Sequence, residues 1–379
     1  MRLAKLGAGV SALALCIAGP ALADIKIGAS LAVTGPAAFL GDPEAKTLRM
    51  MVDALNANGG VNGEKVDLVL YDDGADPNKA RTFATRLIEE DEVVAVIGGT
   101  STGATMAMAP LFGDYEIPFV SLAGAVVIID PVQKYVFKTP HTDRMACEKI
   151  FADITARGLS KVGLISGTGG FGKSMRQQCM DVAGDAGVEI VADETYGPND
   201  ADMTPQLTNI ANTDGIEAVV NPGFGQGPAV VTRNYDQLGI ELPFYQSHGV
   251  ASDSFIDLAG PAAEGVRLPA TALLIPDQME DGDPQKQPVN DYIAAYKAKY
   301  GESPSTFGGY AYDAFNLVIG AIERAGSAEP NAIRDALEAT DGYAGVTGVY
   351  TFSPEDHLGL DLSAFRMLEI RDGGWIPVE

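Results

Sequence analysis

Apolar residues along this chain gather into short β-branched runs. Between the runs they recur every third or fourth position, so strands alternate with amphipathic helices. Residues 25–33 read as a strand, and Asp42-Pro43 then offers an N-cap with proline at the first helical position. Ala45, Leu48, Met51, Val52 and Leu55 mark one face of that helix, which stops at Gly59-Gly60. Val66, Leu68 and Leu70 alternate as in a strand. Asp76-Pro77 opens the next helix, whose buried stripe is Ala80, Phe83, Ala84, Leu87 and Ile88. The runs at 93–97 and 117–120 suit parallel strands covered on both faces.

The same rhythm restarts after about residue 140. Residues 161–166, 188–192, 217–221 and 243–246 read as strands with helices between them. Two successive βα arrays predict an α/β protein with two doubly wound parallel-sheet lobes. A polar stretch at 277–288 precedes two helices near 289–300 and 305–325, and strands are expected at 348–352 and 365–370.

The first residues add a compartment. Arg2 and Lys5 precede an apolar run at 6–18, and Ala21-Leu22-Ala23 forms a small-x-small cleavage site before Asp24. Residues 1–23 therefore read as a secretory signal peptide, cleaved after Ala23 and directing the chain to the periplasm. Cys16 follows Leu15 rather than a small residue, which argues against lipidation. The formal net charge of −25 disfavours nucleic acid and anionic membranes as partners. Cys147 and Cys179 remain in the mature chain, both on expected helices, and the sequence leaves open whether they are bonded. No cofactor is expected. The histidines, His141, His248 and His357, lie far apart, so no metal site is expected either.

Several patterns resemble chemistry. Gly99-Thr100-Ser101-Thr102-Gly103 fits the nucleophile elbow of serine hydrolases, with His248 or His357 downstream as base. No histidine precedes residue 141 to supply the usual oxyanion segment, and hydroxyl residues at a helix start equally serve as caps. Residues 167–174, Gly-Thr-Gly-Gly-Phe-Gly-Lys-Ser, fit the phosphate loop of nucleotide hydrolases. A secreted acidic chain is a poor setting for ATP, and the glycines serve as well in a tight strand-to-helix turn. Asp72, Asp73 and Asp76 start like a calcium loop but lack its closing glutamate. What remains is geometry, because open α/β sheets bind ligands beyond the carboxyl ends of their strands. Ser101 and Thr102 offer hydroxyls and backbone donors there. Ala123, Gly124 and Ala125 follow the next strand with side chains small enough to leave the backbone accessible.

A series of short motifs runs through the chain. It begins with Ile25-Lys26-Ile27-Gly28, Thr34-Gly35-Pro36 and Gly41-Asp42, and continues with Asn58-Gly59-Gly60-Val61-Asn62-Gly63 and Tyr71-Asp72-Asp73. Asp76-Pro77, Ile97-Gly98-Gly99 and Tyr312-Asp313-Ala314 complete it. In this order they resemble the leucine/isoleucine/valine-binding protein family of ABC importers, over essentially the whole mature chain. The resemblance implies a type I periplasmic binding fold with a three-segment hinge. Lobe 1 would span 24–142 and 273–355, and lobe 2 would span 143–272 and 356–379. It implies a small-molecule ligand held in the cleft, an inner-membrane ABC permease as partner, a monomer, and no catalysis.

By position, Thr102 with Ser101 matches the hydroxyl site for the ligand carboxylate, and Ala123 matches a backbone contact beside it. Ala125 stands where amino-acid binders carry threonine. Phe171 and Phe224 replace two tyrosines of the second lobe, while Leu40 and Phe307 fall where an aromatic pair lines the side-chain pocket. His248 falls where an acid neutralises the α-ammonium group, and Ala75 and Ser101 occupy the positions of the family's disulfide. Losing that acid removes the charge complement of an ammonium. The expected ligand is therefore an organic or aromatic acid rather than a branched-chain amino acid. The alternatives are a ligand-sensing module for a membrane receptor and a secreted hydrolase using Ser101.

Overall fold

The computed structural model describes residues 24–378, so the signal-peptide reading of 1–23 lies outside the described residues. The first sheet comprises β1 (Ile25–Leu31), β2 (Val66–Asp72), β3 (Ala95–Gly98), β4 (Phe119–Ser121) and β5 (Val136–Lys138). Its order is β2-β1-β3-β4-β5 and all its pairs are parallel. The chain winds outward from β1 to β2 and then returns to the other side, so a switch point lies between β1 and β3. β3 and β4 are buried throughout, as strands covered on both faces must be.

The connecting helices are α1 (Ala38–Ala57), α2 (Pro77–Glu89) and α3 (Thr102–Asp114). α2 starts as its sequence predicts, with Asp76 accepting hydrogen bonds from the Asn78 and Lys79 N–H groups. α1 does not. Its first turn forms earlier, where Ala38 N–H reaches the Gly35 carbonyl and Gly41 N–H reaches that of Ala37. Pro43 therefore lies inside the helix.

After β5 the chain crosses to the second sheet through α4 (Asp143–Ala156). There β6 (Lys161–Gly167), α5 (Gly170–Ala183), β7 (Glu189–Tyr196), α6 (Thr204–Ala211) and β8 (Ala218–Asn221) follow in turn. α7 (Gly227–Gln237), β9 (Phe244–Gln246), α8 (Asp253–Ala259) and β10 (Arg267–Ala270) complete the array. A second crossing leads back to α9 (Lys286–Tyr300), α10 (Thr306–Ala325) and α11 (Pro330–Glu338). Leu317, Val318 and Ile322 of α10 share a core with Leu48, Val52 and the strands of the first sheet.

The strand expected at 348–352 is only the short hairpin of β11 (Tyr343–Ala344) and β12 (Val349–Tyr350). Asp313 takes the N–H groups of Val346 (2.7 Å) and Thr347 (2.8 Å), holding the backbone in a turn. A third crossing ends in β13 (Arg366–Arg371) and β14 (Gly374–Pro377), joined through Asp372-Gly373 with both φ angles positive. The second sheet has the order β14-β13-β10-β9-β8-β6-β7, with its switch point between β6 and β8. β13 runs antiparallel to β10, a departure from the wholly parallel expectation, and β14 runs antiparallel to β13 as their two-residue hairpin requires. Cys147 and Cys179 are bonded, joining α4 to α5 with 5.1 Å between their Cα atoms.

Candidate functional site

Six strand ends and two helices converge between the two sheets. Beyond β3, Ser101 caps α3 by accepting a hydrogen bond from the Ala104 N–H (3.2 Å). Thr102 opens that helix, leaving first-turn N–H groups without intrahelical acceptors. Its Oγ1 is buried and has no hydrogen-bond partner. Thr100 is fixed from behind, donating to the buried Glu44 carboxyl (2.5 Å) and accepting from the Ala32 N–H (3.0 Å). Burial holds Glu44 well above the usual carboxylate range.

Beyond β4 the chain narrows to Gly124. A Cβ there would lie 2.7 Å from His248 Nε2 and 2.9 Å from a Phe171 ring carbon, so no larger residue fits while these side chains keep their places. From the second sheet, Gly170 plays the corresponding part. A Cβ on it would lie 3.3 Å from the Gly103 nitrogen of the first lobe. Gly172 is likewise tied to the Gly167 carbonyl, so the glycines of the phosphate-loop pattern are used for close packing of turn and helix.

The second-lobe wall is aromatic. Phe171 packs edge-on against Phe224 (6.0 Å between ring centroids) and against His248 (5.3 Å). Phe224 also packs on the apolar clusters of both lobes. The turn carrying His248 is pinned by Ser247, whose hydroxyl donates to the Gly223 carbonyl (2.5 Å) and accepts from the Gly249 N–H (3.1 Å). Phe307 and Tyr310 enter from α10, one helical turn apart.

These elements bound a narrow cavity. Leu40, Ser101, Thr102, Gly124, Phe171 and Phe224 line it, as do His248 and Phe307. Ala123 and Ala125 lie outside its wall. The Ala123 N–H is held by Ser121 Oγ (3.1 Å), and Ala125 is wholly buried at the start of a 3₁₀ turn. Thr100, Leu122, Pro140, Gly249 and Tyr310 complete the lining and escaped the sequence reading. Tyr310 had a signal, because it stands three residues after Phe307 on a helix.

Electrically the wall is nearly neutral. Among the described residues its lining includes no Asp, Glu, Lys or Arg. Burial pushes the His248 imidazole down to about 3, with the nearby Lys138 charge acting the same way and the His141 backbone opposing. His248 is thus neutral at ordinary pH, with one ring nitrogen a donor and the other an acceptor. Neither nitrogen has a partner of hydrogen-bonding geometry, and neither has the Tyr310 hydroxyl. Buried polar groups left open in this way mark places where a ligand atom can be received. The acidic group at 72–76 has no such openings. Asp72 holds Thr34, Asp73 holds Ser30 and Ala75, and Asp76 caps α2.

Residues 24–374 match the family model described as periplasmic binding protein. A leucine-, isoleucine-, valine-, threonine- and alanine-binding protein of Pseudomonas aeruginosa is 26% identical over 363 residues, covering 95% of this chain and 92% of that one. An extracellular ligand-binding receptor from Rhodopseudomonas palustris HaA2 superposes with a TM-score of 0.88 at 29% identity, covering 94% of this chain and all of that one. The branched-chain amino acid transporter substrate-binding protein of Streptococcus pneumoniae, in complex with isoleucine, gives 0.83 at 26% identity, covering 93% and 98%.

Proposed function

The chain belongs to the periplasmic binding protein family of the Leu/Ile/Val-binding type, and from that premise we propose that its cleft captures a small carboxylic acid lacking an α-amine. The carrying observation is His248. It stands in a wall without any Asp or Glu, so an α-ammonium group would enter the cavity without a counter-charge. A carboxylate instead meets the Thr102 hydroxyl and the first-turn N–H groups of α3, at the end of a helix dipole suited to anions. Phe171, Phe224, Phe307 and Leu40 surround the rest of the ligand with apolar surface.

In this reading Ala123 and Ala125 shape the backbone beside the carboxylate, and the lobes divide at 142, 272 and 355. A ligand touching both lobes favours closure by the contacts made only there. An inner-membrane ABC permease then reads the closed form of a monomer. Ser101 supports binding rather than hydrolysis, because its hydroxyl caps α3 and makes no hydrogen bond to a histidine among the described residues.

A thermal-shift screen tests this. Each amino acid is paired with the acid that lacks its amine: leucine with 4-methylpentanoate, phenylalanine with 3-phenylpropanoate. The acids are expected to raise the melting temperature by mass action. Shifts produced by the amino acids alone overturn the reading.

A further inference from the structure

Lys138 ends β5 where the chain first crosses between the lobes, and its side chain is fully buried. Its Nζ donates one hydrogen bond, to the His141 carbonyl (3.2 Å), and it forms no ion pair among the described residues. The neighbouring acid, Asp143 on α4, accepts from the N–H groups of Val126 (2.8 Å) and Arg144 (3.0 Å) on one carboxyl oxygen, while its other oxygen is buried without a hydrogen-bond partner. The His141 ring stacks on Phe365 (4.0 Å), and His248 meets the same ring edge-on (5.4 Å). Pro140 and His248 line the cavity, which places Lys138 behind that part of the wall.

We propose that Lys138 supplies the positive charge that balances a carboxylate in this cavity, and that the complex forms with uptake of one proton. This rests on the carboxylic-acid reading above. An anion moved into a wall without formal cations is costly unless positive charge lies close by. Helix α3 contributes a partial charge, and Lys138 is a fully buried amine whose charge bears on His248. Burial draws Lys138 down to about 7, with Asp143 opposing. The amine is therefore only partly protonated in the free protein at neutral pH. A carboxylate nearby favours the ammonium form, and the proton comes from solvent. Lys138 thus acts as a positioning residue, its charge reaching the ligand through the His248 wall.

The other charged groups around it are accounted for. Arg366 of β13 bears on His141, whose imidazole is held by burial well below its usual range. His357 accepts the Lys138 N–H on its carbonyl (3.2 Å). The His357 ring faces the Val136 carbonyl on one side and Glu338 on the other.

The sign is fixed by linkage. Affinity is full below the free-state pKa of about 7 and falls as pH rises above it, by up to roughly tenfold per pH unit. Calorimetric titration of the mature protein with 3-phenylpropanoate and 4-methylpentanoate, in phosphate and in Tris at about pH 8, reads the proton number directly. Uptake approaching one proton is expected. Lys138→Arg should keep affinity within about threefold, with no uptake and a flat pH profile, because arginine stays charged. Lys138→Met should bind about ten- to a hundredfold more weakly at neutral pH, without the slope. Wild-type binding without uptake, or a slope that survives in Lys138→Met, overturns the role of Lys138 and leaves the carboxylic-acid reading standing. Failure of both acids to bind overturns both. Should Lys138→Met not fold, the wild-type and arginine profiles decide alone.

Discussion

At the end of β3 the chain reads Gly98-Gly99-Thr100-Ser101-Thr102-Gly103, and at the end of β6 it reads Gly167-Thr168-Gly169-Gly170-Phe171-Gly172. Each turn flanks the switch point of its sheet and opens a helix over the cleft. The frames match, but the chemistry does not. The first turn ends in a hydroxyl with no partner, and the second ends in a benzyl ring packed on Phe224 and His248. One lobe therefore offers donors for an anionic end and the other offers a surface for an apolar body. In the proposed reading, closure brings the two together around one ligand.

The largest effect should come from the seam between them. Gly124→Ala places a methyl group 2.7 Å from His248 Nε2, a clash that opening of the lobes relieves. We expect roughly a hundredfold loss of acid affinity, about 3 kcal/mol, at the upper end of overpacking costs. The ligand-free melting temperature should hardly change. Calorimetry checks the loss, and unchanged affinity would mean that the closed seam is not needed for binding.

Removing single polar partners should cost less. His248→Ala and Thr102→Val are each expected to weaken acid binding by about 1–3 kcal/mol, or ten- to a hundredfold. His248→Glu should weaken it further by setting like charges together, and should improve binding of leucine relative to 4-methylpentanoate. If His248→Glu leaves that ratio unmoved, His248 is not the residue that selects against an amine.

The smallest effect is expected on the aromatic side. Phe224→Tyr adds a hydroxyl to a ring that is only partly buried, so affinity for an aliphatic acid should fall severalfold at most. A gain in affinity in the same titration would place the anionic end of the ligand against the second lobe instead, because the new hydroxyl could donate to it.

The alternation of strands and helices was readable in the sequence because buried parallel strands demand β-branched runs and surface helices demand a stripe. Most of the cavity wall was readable too, since it sits at strand ends that announce themselves by glycine and hydroxyl residues. Pro140 and Tyr310 were not, because which way a crossing segment or a helix face turns depends on the packing of the two lobes. Lys138 shows the limit best. A lysine closing the run Tyr135-Val136-Phe137 looks like a solvated strand end, yet it is fully buried where the chain crosses between the lobes. The Cys147–Cys179 bond depended likewise on the approach of α4 to α5, and the antiparallel β13 on the direction in which the third crossing returns the chain beside β10.

The most direct test of the central claim is a pair of calorimetric titrations of the wild-type protein at neutral pH, one with 3-phenylpropanoate and one with phenylalanine, repeated with 4-methylpentanoate and leucine. The account predicts that in each pair the acid without the amine binds at least about tenfold more tightly. Tighter binding of leucine or phenylalanine, unaffected by His248→Ala, would contradict it.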